Sequence, residues 1–171
     1  MKISTQRCWT ASHDDHSSRS EVEEDGMIVL VDVDHTLSDA AWRDDLIPAA
    51  RATGDWTKYY AEMDQDEPIW FVATLVRSLN MIQAYDVVGL TARPEEYRAK
   101  TLLWLRRNSI MMRLLLMRPI DNHDPSPELK VALIKKWIKM SEVAFAIEDR
   151  EDCARAMIEA GISVFRPMLG K

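Results

Sequence analysis

The chain has little cysteine, little glycine, a shortage of basic charge and no long apolar run. Cys8 and Cys153 are its only cysteines, so neither a disulfide framework nor a cysteine-based zinc site is expected. No stretch approaches the ~18 apolar residues of a membrane span. Residues 1–25 lack the apolar core of a signal peptide, and reducing cytosol is the expected compartment. Lys and Arg number 22 against 28 Asp and Glu, for a net charge of -6. That balance argues against tight binding along an extended duplex, although a nucleotide or a strand end needs only a local cationic pocket. What the chain does have is apolar content. At 47% of 171 residues it is enough for one sizeable core and too much for disorder.

Residues 1–25 are rich in Ser, Asp, Glu and His and read as a flexible leader to a single domain over 26–171. His13-Asp14-Asp15-His16 contains metal-ligand residue types. With no further ligands organised nearby, a solvated tail is the expectation. Met27-Ile28-Val29-Leu30-Val31 reads as a buried strand over 27–33 that delivers Asp32 at its end. Helical patterns follow at 41–52 and around Trp56, Tyr59, Tyr60 and Met63, separated by Gly54. Their aromatics could stack on bases, but the i, i+3, i+4, i+7 spacing argues first for one buried helix face.

A helix is expected over 67–81 with Pro68 in its first turn, then a strand over 86–90 ending at Thr91-Ala92-Arg93. Pro94-Glu95-Glu96 should open a helix to about residue 107. A strand at 114–117, a helix at 126–140, a strand at 143–147 ending in Glu148-Asp149, a helix at 151–160 and a short strand at 162–165 complete the pattern. His123 reads as a loop residue. Strands alternating with helices predict a mainly parallel sheet in a three-layer α/β sandwich, with ligands beyond the carboxyl ends of the strands. A small helical cap, about 40–66, should follow the first strand.

Four polar clusters fall at those ends. They are Asp32, Asp34 and Thr36; Thr91 with Arg93; Lys130; and Glu148 with Asp149. Carboxylates and hydroxyls at the mouth of a buried strand are costly unless something cationic binds there. Their order resembles the haloacid dehalogenase-type (HAD-like, Rossmannoid) phosphohydrolases over about 27–167. The likeness is closer to the phosphatase half of phage-type polynucleotide kinase/phosphatases. It is carried by Val31-Asp32-Val33-Asp34-His35-Thr36-Leu37, Leu90-Thr91-Ala92-Arg93-Pro94-Glu95, Leu116-Met117-Arg118-Pro119 with Glu128-Leu129-Lys130, and Ala146-Ile147-Glu148-Asp149-Arg150. The sequence contains no G-x-x-x-x-G-K-[ST] loop, so no kinase half is expected in it.

The resemblance implies a phosphomonoesterase with Asp32 as nucleophile, forming an aspartyl-phosphate, and Asp34 as general acid and base. Asp34 should then have a pKa raised by its acidic neighbours. Mg2+ is the implied cofactor, held by Asp32, the backbone carbonyl of Asp34, and Glu148 and Asp149, with the direct ligand of that last pair left open. Lys130, Thr36, Thr91 and Arg93 are the implied phosphate or substrate contacts. The implied substrate is a polynucleotide 3'-phosphate end or a 3'-nucleotide. A 5'-nucleotidase is the alternative and an idle phosphate-binding module a third. His35 stands where the family most often has glycine. It either meets the substrate or only shapes the turn.

Overall fold

The computed structural model describes residues 26–82 and 84–167. The expected leader and its His13-to-His16 segment therefore lie outside the described residues. Five strands form one sheet: β1 (Met27–Val31), β4 (Tyr85–Pro94), β5 (Leu114–Arg118), β6 (Val143–Ile147) and β7 (Val164–Phe165), in the order β5-β4-β1-β6-β7. Every pairing in it is parallel. A parallel sheet needs both faces covered, and alternate side chains of each strand serve opposite faces. Val29, Val31 and Val87 pack beneath α3 (Trp70–Met81) and α4 (Arg98–Arg107). Ile28, Leu30, Val88 and Leu90 pack against α5 (Ser126–Trp137) and α6 (Glu151–Glu159) on the other face. This is the expected α/β sandwich.

Between β1 and α3 the chain forms a two-residue antiparallel pair, β2 (Ser38–Asp39) with β3 (Glu67–Pro68). The excursion between those strands holds a 3-10 helix over Ala41–Leu46, α1 (Ile47–Thr53), α2 (Thr57–Ala61) and a 3-10 turn over Met63–Gln65. Gly54 ends α1 in the left-handed conformation, where glycine carries no side-chain penalty.

Three expected boundaries are corrected. The helix assigned to 67–81 begins only at Trp70, because Glu67 and Pro68 are extended. A residue before proline disfavours the helical region, and proline is tolerated in a short edge strand. The strand assigned to 86–90 runs to Pro94, and a 3-10 turn over Glu95–Tyr97 precedes α4. The helix assigned to 126–140 stops at Trp137, after which Ile138 turns extended and is buried. Among the described residues no helix is long and apolar enough to cross a membrane.

Candidate active site

Beyond β1 the chain turns sharply. Asp32 continues the sheet by donating its N–H to the Ile147 carbonyl at 3.0 Å. The Val33 carbonyl then collects the N–H groups of Leu37 and Ser38, each at 2.8 Å. His35 sits in this turn with φ 61°, in the left-handed region where glycine is free and histidine is one of the tolerated alternatives. That explains the glycine expected there. The imidazole also lines the cleft, with Nε2 3.1 Å from Asp44 Oδ1.

Two charge networks meet at this turn. In the first, Lys130 reaches from α5 beneath the β1 and β6 ends. Its Nζ donates to Asp32 Oδ1 and Glu148 Oε2, each at 2.6 Å. The Thr36 hydroxyl lies 3.2 Å from Asp32 Oδ2 and 3.0 Å from Asp149 Oδ1, so it sets the spacing of two acids. Glu148 is fully buried, its Oε1 accepting the Arg150 N–H at 3.2 Å, whereas Asp149 is partly exposed. One oxygen from each of Asp32, Glu148 and Asp149 lies within 4.8 Å of the others. Burial, and then the Glu148 charge, push the Asp32 carboxyl well above its ordinary range, with Lys130 only partly opposing them. Burial likewise raises Glu148 against the pull of Lys130. Burial alone would discharge Lys130, but Asp32 and Glu148 together hold it firmly protonated.

The second network holds Asp34. Arg93 grips it through two bonds, Nε to Oδ2 at 2.9 Å and Nη2 to Oδ1 at 2.8 Å. Arg43 Nη2 adds a third at 2.7 Å. Both guanidiniums also bind Asp66: Arg43 through Nε at 2.9 Å and Nη2 at 2.6 Å, Arg93 through Nη2 at 3.3 Å. Trp104 Nε1 fixes the Asp66 carbonyl at 2.7 Å, which ties the network to α4. Two arginines thus face two aspartates in a square that is buried except at Asp34, which reaches the cleft.

Several expectations are corrected by this geometry. Asp34 does not have the raised pKa expected of it. Burial would raise it, but Arg93 and then Arg43 outweigh burial and hold it below the ordinary carboxylate range. The acidic neighbours expected to raise Asp34 surround Asp32 instead. Arg93, expected to touch substrate, is fully buried and spent on Asp34, Asp66 and Ser38. Thr36 and Thr91 are also fully buried, and Thr91 accepts the Arg93 N–H at 3.2 Å. Their hydroxyls position other site residues. The Asp34 carboxylate lies outside the acidic triad, whereas the ligand implied at that residue is its backbone carbonyl.

Arg43 and Asp66 were not legible as site residues. The one available signal was an arginine on the apolar side of a helical pattern, and nothing local says which carboxylate it meets. The strand pairing shows how β4 turns Arg93 inward. Leu90 pairs with Leu116 but Pro94 with Arg118, so β4 carries two extra residues there. A bulge of that kind re-aims side chains beside a site.

The cleft over these networks holds about 1090 Å³. Asp32, Asp34 and Lys130 line it together with Trp56, Tyr60, Tyr97 and Arg118. Tyr59, Tyr60 and Met63 form the buried helix face read from their spacing. Tyr60 and Trp56 also reach the cleft. His123 lies in a loop, as expected, and lines the cleft.

A family model described as the polynucleotide kinase PNKP phosphatase domain matches residues 26–170. No curated protein matches the chain. Among solved structures, a chain of the Pnkp1/Rnl/Hen1 RNA repair complex superposes with a TM-score of 0.71 at 24% identity. The match covers 88% of this chain and 45% of that one, so this chain spans under half of that relative. A predicted phosphatase from Clostridium acetobutylicum gives 0.61 at 14% identity, over 81% and 83% of the two chains. A haloacid dehalogenase-like family hydrolase from Streptococcus pneumoniae gives 0.59 at 12%, over 84% and 85%. The sheet order, the strand-end acids and the match over 26–170 agree: the chain belongs to the polynucleotide kinase PNKP phosphatase-domain family of haloacid dehalogenase-like phosphohydrolases, which act on phosphoric monoesters.

Proposed function

We propose that the chain is a Mg2+-dependent phosphatase that removes 3'-phosphates from polynucleotide ends or 3'-nucleotides through an aspartyl-phosphate on Asp32. One observation carries the metal-assisted chemistry. Three carboxylates, Asp32, Glu148 and Asp149, gather at one place, and the single ammonium there, Lys130, pairs with two of them, Asp32 and Glu148. With all three ionised the cluster carries two negative charges more than Lys130 offsets, at a mostly buried place where unpaired charge is expensive, which is why burial and repulsion raise the Asp32 and Glu148 carboxyls. A hard dication with oxygen ligands fits that deficit, and Mg2+ is such an ion. Asp32, Glu148 and Asp149 would hold it, with Asp149 the freest of the three to turn an oxygen toward it. When bound it would offset the repulsion between the Asp32 carboxylate and the phosphate dianion.

The residues divide the remaining work. Asp32 attacks phosphorus while Thr36 and Lys130 hold its carboxylate in place. Lys130 also presents positive charge to the phosphate oxygens. Asp34, its carboxyl held below the ordinary range by Arg93 and Arg43, is ready to take a proton from the water that hydrolyses the aspartyl-phosphate. To donate one to the leaving alkoxide it must first gain one, and a phosphate dianion arriving beside it raises its proton affinity. The helices over 41–65 would form the small cap.

The substrate assignment is supported by the family match and by the Pnkp1 relative's place in an RNA repair complex. The cleft, about 1090 Å³, is far larger than a phosphate needs. The test compares kcat/KM for a 3'-phosphorylated oligonucleotide, a 3'-mononucleotide and a 5'-mononucleotide. Both 3'-phosphates should lead. A clear preference for the 5'-mononucleotide would sink the assignment, and no phosphate release from any of them would point to a binding module.

Metal binding has its own readout. Mg2+ at about 100 times its Kd should add about 2.7 kcal/mol of stability. For a domain of this size that is a melting-temperature rise on the order of 5–10 °C. EDTA should reverse the rise, and Asp149→Asn should lose most of it. An unchanged melting temperature in wild type would refute the metal assignment.

A further inference from the structure

Arg118 ends β5 on the cleft wall, half-buried. Its Nε donates to the Ala92 carbonyl at 3.2 Å. Its Nη1 donates to the Asn122 carbonyl at 3.3 Å, to Asn122 Oδ1 at 3.0 Å and to the Asp124 carbonyl at 2.7 Å. All four acceptors are uncharged. Nη2 makes no hydrogen bond to the described residues, and no carboxylate among them lies within ion-pair distance of Arg118. The Asp124 carboxylate takes the Asn122 amide instead. Burial works against the Arg118 charge, Tyr60 and Asp124 favour it from a distance, and Arg150 opposes it.

The other arginines around the cleft are placed differently. Arg43 and Arg93 are spent on Asp34 and Asp66. Arg150 pairs with Asp152 at 2.5 Å. Arg51 is exposed, so water screens it. Arg118 is therefore a rigidly held, partly desolvated guanidinium facing the cleft with one free edge. Such a group favours an acceptor-only anion, with which its hydrogen bonds become charge-assisted.

Sheet geometry says where that anion lies. β5 is two strands from β1, so Arg118 starts about 10 Å from the strand end that delivers Asp32. A phosphate engaged at Asp32 and another at Arg118 are separated by a span that one nucleotide can bridge. Tyr60 lines the same cleft as Asp32 and Arg118. Its ring and that of Tyr97, 5.1 Å apart, give the intervening nucleoside an apolar wall.

We propose that Arg118 seats the phosphodiester preceding the 3'-terminal nucleotide, so that the site selects strand ends over 3'-mononucleotides. The proposal rests on the 3'-phosphatase reading above. Its test uses the full chain and two dinucleotides ending in a 3'-phosphate, one with a natural internucleotide linkage and one with a neutral methylphosphonate. A 3'-mononucleotide is the third substrate. Wild type should favour the charged linkage by about tenfold in kcat/KM over both others, the scale of one charge-assisted contact. In Arg118→Gln the two dinucleotides should be turned over alike, and Arg118→Lys should keep part of the ratio. Equal turnover of both linkages by wild type overturns the proposal without any variant having to fold. A full ratio in Arg118→Gln overturns the assignment to this residue. Release without a length preference defeats this proposal alone, whereas no release from any 3'-phosphate defeats the underlying reading with it.

Discussion

Asp32→Asn is expected to lower kcat to below about 10⁻³ of wild type while the domain stays folded. The substitution keeps the shape of the side chain and its place beside Lys130 and Thr36 but removes the attacking oxygen anion. It also removes one of three clustered carboxylates, two of which share the Lys130 ammonium. The direction of the Asp32 pKa gives the sign of the stability effect. A carboxyl whose folded pKa is raised stabilises the fold only while protonated, and that contribution is lost as pH rises through the folded value. Without metal, Asp32 therefore costs stability wherever it is ionised, and the neutral amide should not lower the melting temperature. The Mg2+-dependent rise should shrink, because a ligand is gone. Circular dichroism and a melting curve check the fold, and phosphate release checks the chemistry. A variant retaining more than about a tenth of wild-type turnover would rule out the covalent route through Asp32.

Arg43→Met should destabilise the domain by about 3–5 kcal/mol, the cost of breaking a buried ion pair from one side. Arg43 is 1% exposed and makes four hydrogen bonds, two of them to Asp66. It also lies over the Tyr59 ring at 4.2 Å, so its loss removes packing as well as charge. Methionine fills much of the space but leaves the buried Asp66 and the partly buried Asp34 sharing Arg93. On a domain of this size the melting temperature should fall by on the order of 10 °C. The double variant Arg43→Met/Asp66→Asn restores the charge balance and should recover part of the loss. Absence of any recovery would mean that packing, not the charge square, accounts for the cost. Activity should fall in the single variant as well, since Asp34 loses one of the two groups that fix its direction. A shift within about 0.5 kcal/mol, the range of an ordinary surface change, would contradict the network.

These two residues differ in how far the sequence exposes them. Asp32 is legible because its signal is local: a short apolar β-branched run, then acids where the run stops. Lys130 and the Glu148-Asp149 pair are legible for the same reason, each at a helix start or strand end set by nearby residues. Arg43 and Asp66 are not, because their partners lie 9 to 38 residues away and are chosen by the packing of the 41–65 excursion on α4. The β2–β3 pair is too short to show a period. The bulge at Thr91–Arg93 leaves no compositional mark, yet it turns Arg93 from the cleft into the interior.

By itself the sequence determined the α/β layering, the parallel sheet and the four polar clusters at strand ends. Those follow from hydrophobic periodicity and turn chemistry over a few residues. Only the tertiary structure decided which carboxylate meets which cation. Asp32 lies among acids with one lysine, Asp34 lies between two arginines, and their proton affinities move in opposite directions. The physical reason is that electrostatic energy in a buried site depends on distances of a few ångströms between groups far apart in the chain. Periodicity places such groups on the same end of a sheet but does not say which of them touch.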